Sequence, residues 1–298
     1  MPRATRDDVS IYYEHEKGGG DGAADPVVLL QGLGFGRWMW RWQREALRDT
    51  HQVIAPDTRG TGRSDAGLPP LVPRLPGRLR TPLLSRFGYS VEGLAADLEA
   101  VLEDAGVRSA HIVGASLGGM VAQQYAVEYS RASSLTLLST SHGGPDAAPI
   151  PEEIRQQLLA SSGDGDRKRL RDSMRPAFSE RFTNRNPHLM DRIVEWRREQ
   201  DAGGPAQIAQ AAAVSSFDVA DRLGSIRVPT LILHGNDDRV VPPANARLLA
   251  ERIPDAELEY VEGGSHCFFI ERDDRVNESL LAFLEEQGRE GRVGSTRR

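Results

Sequence analysis

The stretch from residue 110 to residue 120, AHIVGASLGGM, places a serine between two glycines directly after a short apolar run. A helical pattern follows over residues 117–129. A serine on a sharp turn from strand to helix has strained backbone geometry, and the neighbouring glycines remove side chains that would clash there. Such a turn exposes the hydroxyl of Ser116 near the positive end of the helix. The pattern indicates a nucleophile, and the alternative is a glycine-rich loop in which Ser116 only caps the helix.

Apolar runs like the one before Ser116 recur along the chain. Continuous runs are typical of strands buried on both faces, as in a parallel sheet covered by helices. Helical patterns lie between several runs, and the clearest spans residues 91–105, with Ser90 at its expected N-cap and Gly106 just past its end. We therefore expect an α/β fold with a mostly parallel central sheet flanked by helices. The runs lie at residues 26–30, 52–56, 111–113, 134–138, 230–233 and 258–261.

Two longer stretches interrupt this alternation. Residues 66–88 contain five prolines and four arginines but no acidic residue, and we expect an irregular insertion loop there. Residues 143–222 lack strand runs and contain helical patches, which predicts a helical cap inserted before the strand at 230–233. The core would then comprise residues 1–142 and 223–286. Residues 287–298 are rich in Gly, Arg and Ser, and we expect a disordered tail.

Composition and charge exclude several classes of protein. The 298 residues suffice for one large α/β domain. A balance of 37 basic against 43 acidic side chains, a net charge of −6, argues against a nucleic-acid partner. Cys267 is the single cysteine, so no intramolecular disulfide forms. The first eight residues lack the apolar segment of a signal peptide, and no apolar run approaches the roughly 18 residues of a membrane span. We expect a cytoplasmic protein without stable membrane insertion.

A serine hydroxyl is a poor nucleophile until a base takes its proton, and the histidines are the candidates. His266 lies in a loop of small residues, 263–266, after the last apolar run, and such a loop can curl toward the nucleophile. His111 and His234 lie within strand runs, where a satisfied core histidine is the expected role. His142 follows the run that ends near Ser139 and is a candidate pocket residue. We predict that His266 is the base.

The base needs an acid that fixes its tautomer and stabilises the imidazolium. Asp237 and Asp238 follow the run at 230–233, at the strand end where open parallel sheets place their sites. Either residue could instead be a plain turn residue or a helix cap. We favour Asp238, which gives the chain order Ser, Asp, His expected with this type of nucleophile turn.

These segments together resemble an α/β-hydrolase fold esterase or lactonase, over about residues 9–287. Residues 114–118 match the nucleophile turn of that family, and residues 57–64, DTRGTGRS, resemble its D-x-R-G-x-G-x-S loop. Residues 235–242 resemble the G-x-x-D-x-x-x-P segment, whose aspartate is the triad acid and corresponds to Asp238. Residues 263–266 resemble the loop of the catalytic histidine. Four motifs in the right order are far more specific than any one of them.

The resemblance also implies an oxyanion hole and a pocket. The backbone N–H groups of Leu33 and Leu117 correspond to the family's oxyanion donors. Gln31 stands where the family usually has histidine, so it is a candidate for shaping this loop and the pocket. Phe35 and Trp38 follow the loop, and although their spacing is more often that of core helix packing, they are near enough to face a ligand. The cap would supply much of the remaining pocket.

The expected activity is hydrolysis of a small carboxylic ester or lactone through an acyl-enzyme, with no metal and no organic cofactor. The same triad on this fold also serves carbon–carbon bond hydrolysis, acyl transfer and cofactor-free peroxidation, and a slow-turnover ligand receptor is a further alternative. Serine at position 116 argues against the dehalogenase and epoxide hydrolase branches, which use a carboxylate nucleophile. The sequence leaves the substrate and the oligomeric state open.

Overall fold

Strands and helices alternate along the chain, and the computed structural model describes residues 2–18, 24–69, 75, 77–160 and 167–295. The strands are β1 (Arg3–Arg6), β2 (Val9–Glu16), β3 (Val27–Leu30), β4 (Val53–Pro56), β5 (Ala110–Ala115), β6 (Ala132–Leu138), β7 (Thr230–Gly235) and β8 (Glu257–Val261). The α-helices are α1 (Arg41–Leu47), α2 (Gly77–Arg86), α3 (Val91–Asp104), α4 (Leu117–Glu128), α5 (Glu152–Ala160), α6 (Arg167–Ser173), α7 (Glu180–Arg185), α8 (Pro187–Gln200), α9 (Gly204–Ser216), α10 (Ala244–Arg252), α11 (Phe268–Glu271) and α12 (Asp273–Ser295).

The strands form one eight-stranded sheet in the order β1-β2-β4-β3-β5-β6-β7-β8. Strands β4, β3, β5, β6, β7 and β8 are parallel to one another, whereas β1 and β2 join one edge in antiparallel pairs. Every residue of β3, β4, β5 and β7 is buried, which is the pattern of strands covered on both faces. The predicted fold, a mostly parallel sheet flanked by helices, is confirmed.

Alternate residues of the central strands feed two apolar clusters, one on each face of the sheet. On β3, Val28 packs in the cluster that includes α3, while Val27 belongs to the cluster that includes α12. Helix α8 contributes Met190 and Ile193 to this second cluster, so the segment predicted as a cap shares an apolar core with the sheet. Burial of this kind stabilises by about 25 cal/mol per Å² of apolar surface. The sheet and α8 are therefore one packed unit at this face.

The parallel strands place their carboxyl ends at one edge of the sheet. The loops that follow β3, β5, β6, β7 and β8 all begin at this edge. These are the loops on which the sequence places the candidate oxyanion donors, nucleophile, acid and base. The fold therefore gathers segments from five distant parts of the chain.

Residues 77–86 form helix α2, so the prediction of an irregular loop throughout 66–88 is wrong there. The helix contains Pro82, the type of residue that suggested a loop. Leu84 is fully buried and packs with Tyr89 and with Ala209 and Ala212 of α9. This tertiary burial outweighs the low helix propensity of the segment. Positions 70–74 and 76 of the predicted loop lie outside the described residues.

Helix α12 extends to Ser295, whereas the sequence predicted a disordered tail from residue 287. Val276, Leu280 and Leu284 anchor the helix in the core, and each further residue then extends an existing helix at low cost. An i,i+4 ion pair joins Arg289 to Glu285 beyond the last buried turn. The final three residues, 296–298, lie outside the described residues.

The segment 143–222 contains helices α5 to α9, apart from residues 161–166, which lie outside the described residues. A 3-10 helix, Ala220–Ser225, crosses the predicted boundary at residue 222. The division into core and cap stays a prediction. The described helices include no segment with the length and apolar character that a membrane span requires.

The loop after β4 is organised by the buried carboxylate of Asp57. Its Oδ1 accepts from Arg37 Nε at 2.7 Å and its Oδ2 accepts from the Arg63 backbone N–H at 2.8 Å. Gly62 has φ +50°, and a Cβ there would lie 2.4 Å from Asp57 Oδ2. The D-x-R-G-x-G-x-S pattern is therefore explained by packing of the loop itself.

We expect G62A to lower the free energy of unfolding by about 2–4 kcal/mol, because alanine adds both a positive-φ penalty and a clash with Asp57. The matched variant G106A should lose only about 1 kcal/mol. Gly106 also has positive φ, +69°, but has nothing within 4 Å of an added Cβ. Equilibrium unfolding in urea measures both losses. Equal losses would contradict the role given to Asp57.

Candidate active site

Ser116 joins β5 to α4 in a strained conformation, with φ 53° and ψ −115°. The Ser116 N–H donates to Leu138 O at 2.9 Å, and Thr140 Oγ1 donates to Ser116 O at 2.7 Å. The Ser116 side chain makes no capping hydrogen bond, so it does not act as a helix cap. The flanking glycines are required because a Cβ on Gly118 would lie 2.0 Å from Leu30 O. The geometry is that of the predicted nucleophile turn.

His266 and Asp238 are in direct contact, with Nδ1 of His266 2.8 Å from Oδ2 of Asp238. The Asp238 side chain is fully buried, and its Oδ1 accepts from the backbone N–H groups of Val240 and Val241 at 2.8 and 2.9 Å. Because a carboxylate only accepts, the proton of the neutral imidazole lies on Nδ1 and Nε2 is left as an acceptor. Asp237 is exposed. The structure pairs the predicted base with Asp238 and not with Asp237.

The environment keeps Asp238 ionised. Burial alone would raise the pKa of this carboxyl, but the charge and hydrogen bond of His266 and a hydrogen bond from His234 outweigh burial and hold the pKa well below its usual range. His234 Nε2 lies 3.2 Å from Asp238 Oδ2 and 2.9 Å from Val241 O. Sequence reasoning missed this contact, since it interpreted His234 as an ordinary core histidine.

Two consecutive residues after β6 hold the nucleophile and base segments next to each other. Ser139 Oγ donates to His266 O at 2.8 Å, while Thr140 Oγ1 donates to Ser116 O. Neither contact was predicted, although both residues are polar and stand at the carboxyl end of a parallel strand. The loop after β6 therefore binds the backbone carbonyl of Ser116 through Thr140 and the backbone carbonyl of His266 through Ser139.

The Leu33 and Leu117 amides are available to a ligand. Within the described residues neither N–H donates to an acceptor in the protein. Leu117 is the first residue of α4, where N–H groups have no partner in the helix. The loop of Leu33 passes the serine, since a Cβ on Gly32 would lie 3.5 Å from Ser116 Cβ. Two free N–H groups beside the serine fit an oxyanion hole.

Residues 25–273 of the chain match the sequence profile of the α/β hydrolase fold family. The chain belongs to the α/β-hydrolase fold family. A protein of Azorhizobium caulinodans named "Putative carbamate hydrolase RutD" is 32% identical over 287 residues, which are 96% of this chain and 99% of that protein. One of Variovorax paradoxus with the same name is 30% identical, over 92% of this chain and 96% of its own length.

Solved structures place this α/β hydrolase among esterases and lactonases. The enol-lactonase of Burkholderia xenovorans LB400 superposes with a TM-score of 0.78 at 25% identity, covering 95% of this chain and all of that one. An enzyme that degrades N-acyl homoserine lactones superposes with a TM-score of 0.73 at 29% identity over the same shares. With the curated relatives, these neighbours confirm that the chain is a hydrolase.

Gln31 lies beneath the loop of Leu33 and is 1% exposed. Its Nε2 donates to Pro56 O at 2.9 Å, which ties the end of β3 to the end of β4. Its Oε1 has no hydrogen-bond partner among the described residues, and Gln31 lines a cavity of about 30 Å³ together with Asp57 and Leu117. The Gln31 side chain of this α/β hydrolase therefore joins the start of the loop that carries Leu33 to the end of β4.

The other predicted pocket residues differ in exposure. Trp38 is 2% exposed and donates its indole N–H to Asp201 Oδ1 at 2.8 Å. Phe35 is half-buried between the Trp38 ring and the Arg197 guanidinium, which lies 5.0 Å from its centroid. His142 is fully buried, with Nδ1 at 2.7 Å from Gly143 O, and Nε2 has no hydrogen-bond partner within the described part of the chain. Trp38 therefore packs in the interior. Contact of Phe35, Trp38 or His142 with a ligand stays a prediction.

No group of three or more His, Cys, Asp or Glu side chains that could hold a metal ion occurs within the described residues. Cys267, next to the base, is buried, and burial raises the pKa of its thiol well above the usual value. A thiol in such surroundings stays protonated and packs as a small apolar group. Cys267 therefore offers no thiolate beside His266.

His111 makes folding of this α/β hydrolase dependent on pH. It is buried beside Ser134, and burial lowers its pKa from 6.5 to about 4. The unfolded chain binds this proton more readily than the folded one, so the contribution of His111 to stability is constant above pH 6.5 and falls as the pH drops toward 4. We expect the wild type to lose about 3 kcal/mol more than H111Q between pH 7 and pH 4 in urea unfolding.

H15Q, which replaces an exposed histidine, is the matched control for the substitution itself. Parallel stability curves for H111Q and the wild type would contradict the assignment.

Proposed function

We propose that this hydrolase cleaves a carboxylic ester or a lactone through Ser116, His266 and Asp238, by way of an acyl-enzyme. The observation that carries the proposal is the 2.8 Å contact between His266 Nδ1 and the buried carboxylate of Asp238. That contact orients an imidazole whose backbone is joined through Ser139 and Thr140 to the strained turn of Ser116. A nucleophile, a base and an acid at one strand edge are the parts that acyl transfer needs.

In the first half-reaction, Ser116 Oγ forms a bond to the substrate carbonyl carbon while its proton moves to His266 Nε2. The negative charge on the former carbonyl oxygen is held by the N–H groups of Leu33 and Leu117. The carbon–oxygen bond to the alcohol then breaks, and His266 gives its proton to the leaving oxygen. Asp238 stays ionised throughout and stabilises the imidazolium.

In the second half-reaction, water replaces the alcohol. His266 takes a proton from the water as its oxygen attacks the acyl carbon, and the same two N–H groups hold the second oxyanion. The bond to Ser116 Oγ breaks, the serine recovers its proton from His266, and the carboxylic acid leaves. With a lactone, the alcohol and the acid are parts of one product.

A carbamate is the second candidate substrate. The observation that favours it is the 32% identity, across nearly the whole of both chains, to a relative whose name includes carbamate hydrolase. A carbamate carbonyl passes through the same tetrahedral oxyanion, so the same residues serve it. Turnover of matched esters, lactones and carbamates discriminates the two candidates.

Other chemistries of this fold remain alternatives. A bromoperoxidase and a meta-cleavage product hydrolase superpose on the chain at 23% identity, which shows the shared fold alone. Peroxidation is tested with halide and peroxide. Carbon–carbon bond hydrolysis is tested with an unsaturated diketone, and acyl transfer is tested by adding an alcohol as acceptor. A receptor is separated from an enzyme by kcat, since slow turnover on every substrate would favour the receptor.

For p-nitrophenyl acetate we expect S116A to abolish turnover and D238N to lower kcat about 10⁴-fold, because the amide cannot hold the required imidazole tautomer. The matched control is D237N, one residue earlier and exposed, and it should leave kcat unchanged. Steady-state kinetics of the three variants decide. A wild-type rate in S116A, or equal losses in D237N and D238N, would refute the assignment.

A further inference from the structure

One side chain of helix α9, that of Gln210, binds the loop that carries Leu33. We call residues 32–36 the oxyanion loop. Gln210 is fully buried, its Oε1 accepts from the Gly34 N–H at 2.7 Å, and its Nε2 donates to Arg59 O at 2.9 Å. The two partners fix the orientation of the amide, because an N–H requires the oxygen and a carbonyl requires the nitrogen. Gln210 thus joins the oxyanion loop to the loop after β4.

The bond to Gly34 acts on one particular peptide group. The Phe35 N–H donates to Gly32 O at 3.2 Å, which closes a four-residue turn with Leu33 and Gly34 at its centre. Gly34 has φ +75°, the value expected at the third position of a type II turn. Type I and type II turns differ by a flip of the central peptide, whose N–H here belongs to Gly34. Gln210 therefore binds the group that distinguishes the two conformations.

Neighbouring residues hold the rest of the oxyanion loop. The Ala202 N–H donates to Gly34 O at 2.8 Å, and Asp201 Oδ1 accepts from the Gly36 N–H at 3.0 Å. These contacts hold the end of the loop, whereas only Gln210 among the described residues binds its central N–H. A flip of that peptide changes ψ of Leu33 and φ of Gly34, whereas the Leu33 N–H belongs to the preceding peptide. Gln210 instead holds the Leu33 N–H through the position of the whole turn, because the Gly34 N–H that it binds is the next N–H along the chain.

We propose that Gln210 is a positioning residue that keeps the Leu33 amide directed at the oxyanion. This inference rests on the proposed function, since it assigns a role within the same oxyanion hole. The ground-state carbonyl needs this donor less than the tetrahedral oxyanion does. Loss of the Gln210 hydrogen bonds should therefore lower kcat and weaken the binding of transition-state analogues, while KM stays nearly unchanged.

The test compares Q210M with Q207M. Methionine keeps the length of glutamine but cannot bind the Gly34 N–H or donate to Arg59 O. Gln207 lies one turn earlier on α9 and also touches Gly34, since a Cβ there would lie 3.3 Å from its Cγ. The described residues give the Gln207 side chain no hydrogen bond to the oxyanion loop, so it is a matched control for packing.

With p-nitrophenyl acetate, Q210M should lower kcat about 10- to 100-fold, since a misplaced oxyanion donor costs rate at the transition state. KM should change less than about threefold. The affinity for a trifluoromethyl ketone, whose adduct carries the oxyanion, should fall by the same factor as kcat/KM. Q207M should stay within about twofold of the wild type. Equal kcat in Q210M and Q207M, or a loss confined to KM, would overturn the inference.

Q210E is the second variant, should Q210M not fold. Its carboxylate keeps an acceptor for the Gly34 N–H and loses only the donor to Arg59, so it should retain more activity than any variant without the acceptor, such as Q210L. Activity of Q210E at or below that of Q210L would overturn the role of the Gly34 bond. S116A separates the two hypotheses: activity in S116A refutes the proposed function, whereas an inactive S116A with unimpaired Q210M refutes the positioning role alone.

Discussion

The left-handed backbone of Ser116 is the constraint on which the arrangement of the site depends. A non-glycine residue in this region costs about 1–3 kcal/mol and persists only where its surroundings hold it. Ser139, at the end of the neighbouring strand β6, also has a positive φ of 46°. The two turns support each other, because the Leu138 carbonyl binds the Ser116 N–H and Thr140 binds the Ser116 carbonyl. Strain at the serine is thus offset by the loop that also fixes His266.

The segment predicted as a cap also forms hydrogen bonds with the loops that carry His266 and Leu33. Ala177 O, between α6 and α7, accepts from the Cys267 N–H and from Ser265 Oγ, on either side of His266. At the other end of the site, Gln210 binds the oxyanion loop. One helical segment therefore holds both the loop of His266 and the loop of Leu33 in relation to Ser116. Helix α8 lies between these two contacts along the chain, and its packing against the sheet anchors the segment there.

The sequence predicts those parts of the molecule that depend on local pattern. The strands can be predicted because strands buried on both faces consist almost entirely of apolar residues. The turn of Ser116 can be predicted because only glycine fits beside it. Helix α2 was missed because Pro82 and the four prolines before the helix argue for a loop, while the burial of Leu84 against α9 depends on residues far away in the chain. The contact of His234 with Asp238 was missed for a similar reason, because a strand position alone indicates burial and not the partner. Gln210 belongs to no motif, and its importance comes from two loops that fold against it.

Covalent labelling with a fluorophosphonate, followed by peptide mass spectrometry and an assay of residual ester hydrolysis, tests directly whether Ser116 is the nucleophile. We expect one equivalent of label, located on Ser116, with activity lost in proportion to labelling. Labelling of another residue, such as the nearby Ser139 or Ser141, or full activity in protein whose Ser116 is completely labelled, would contradict it.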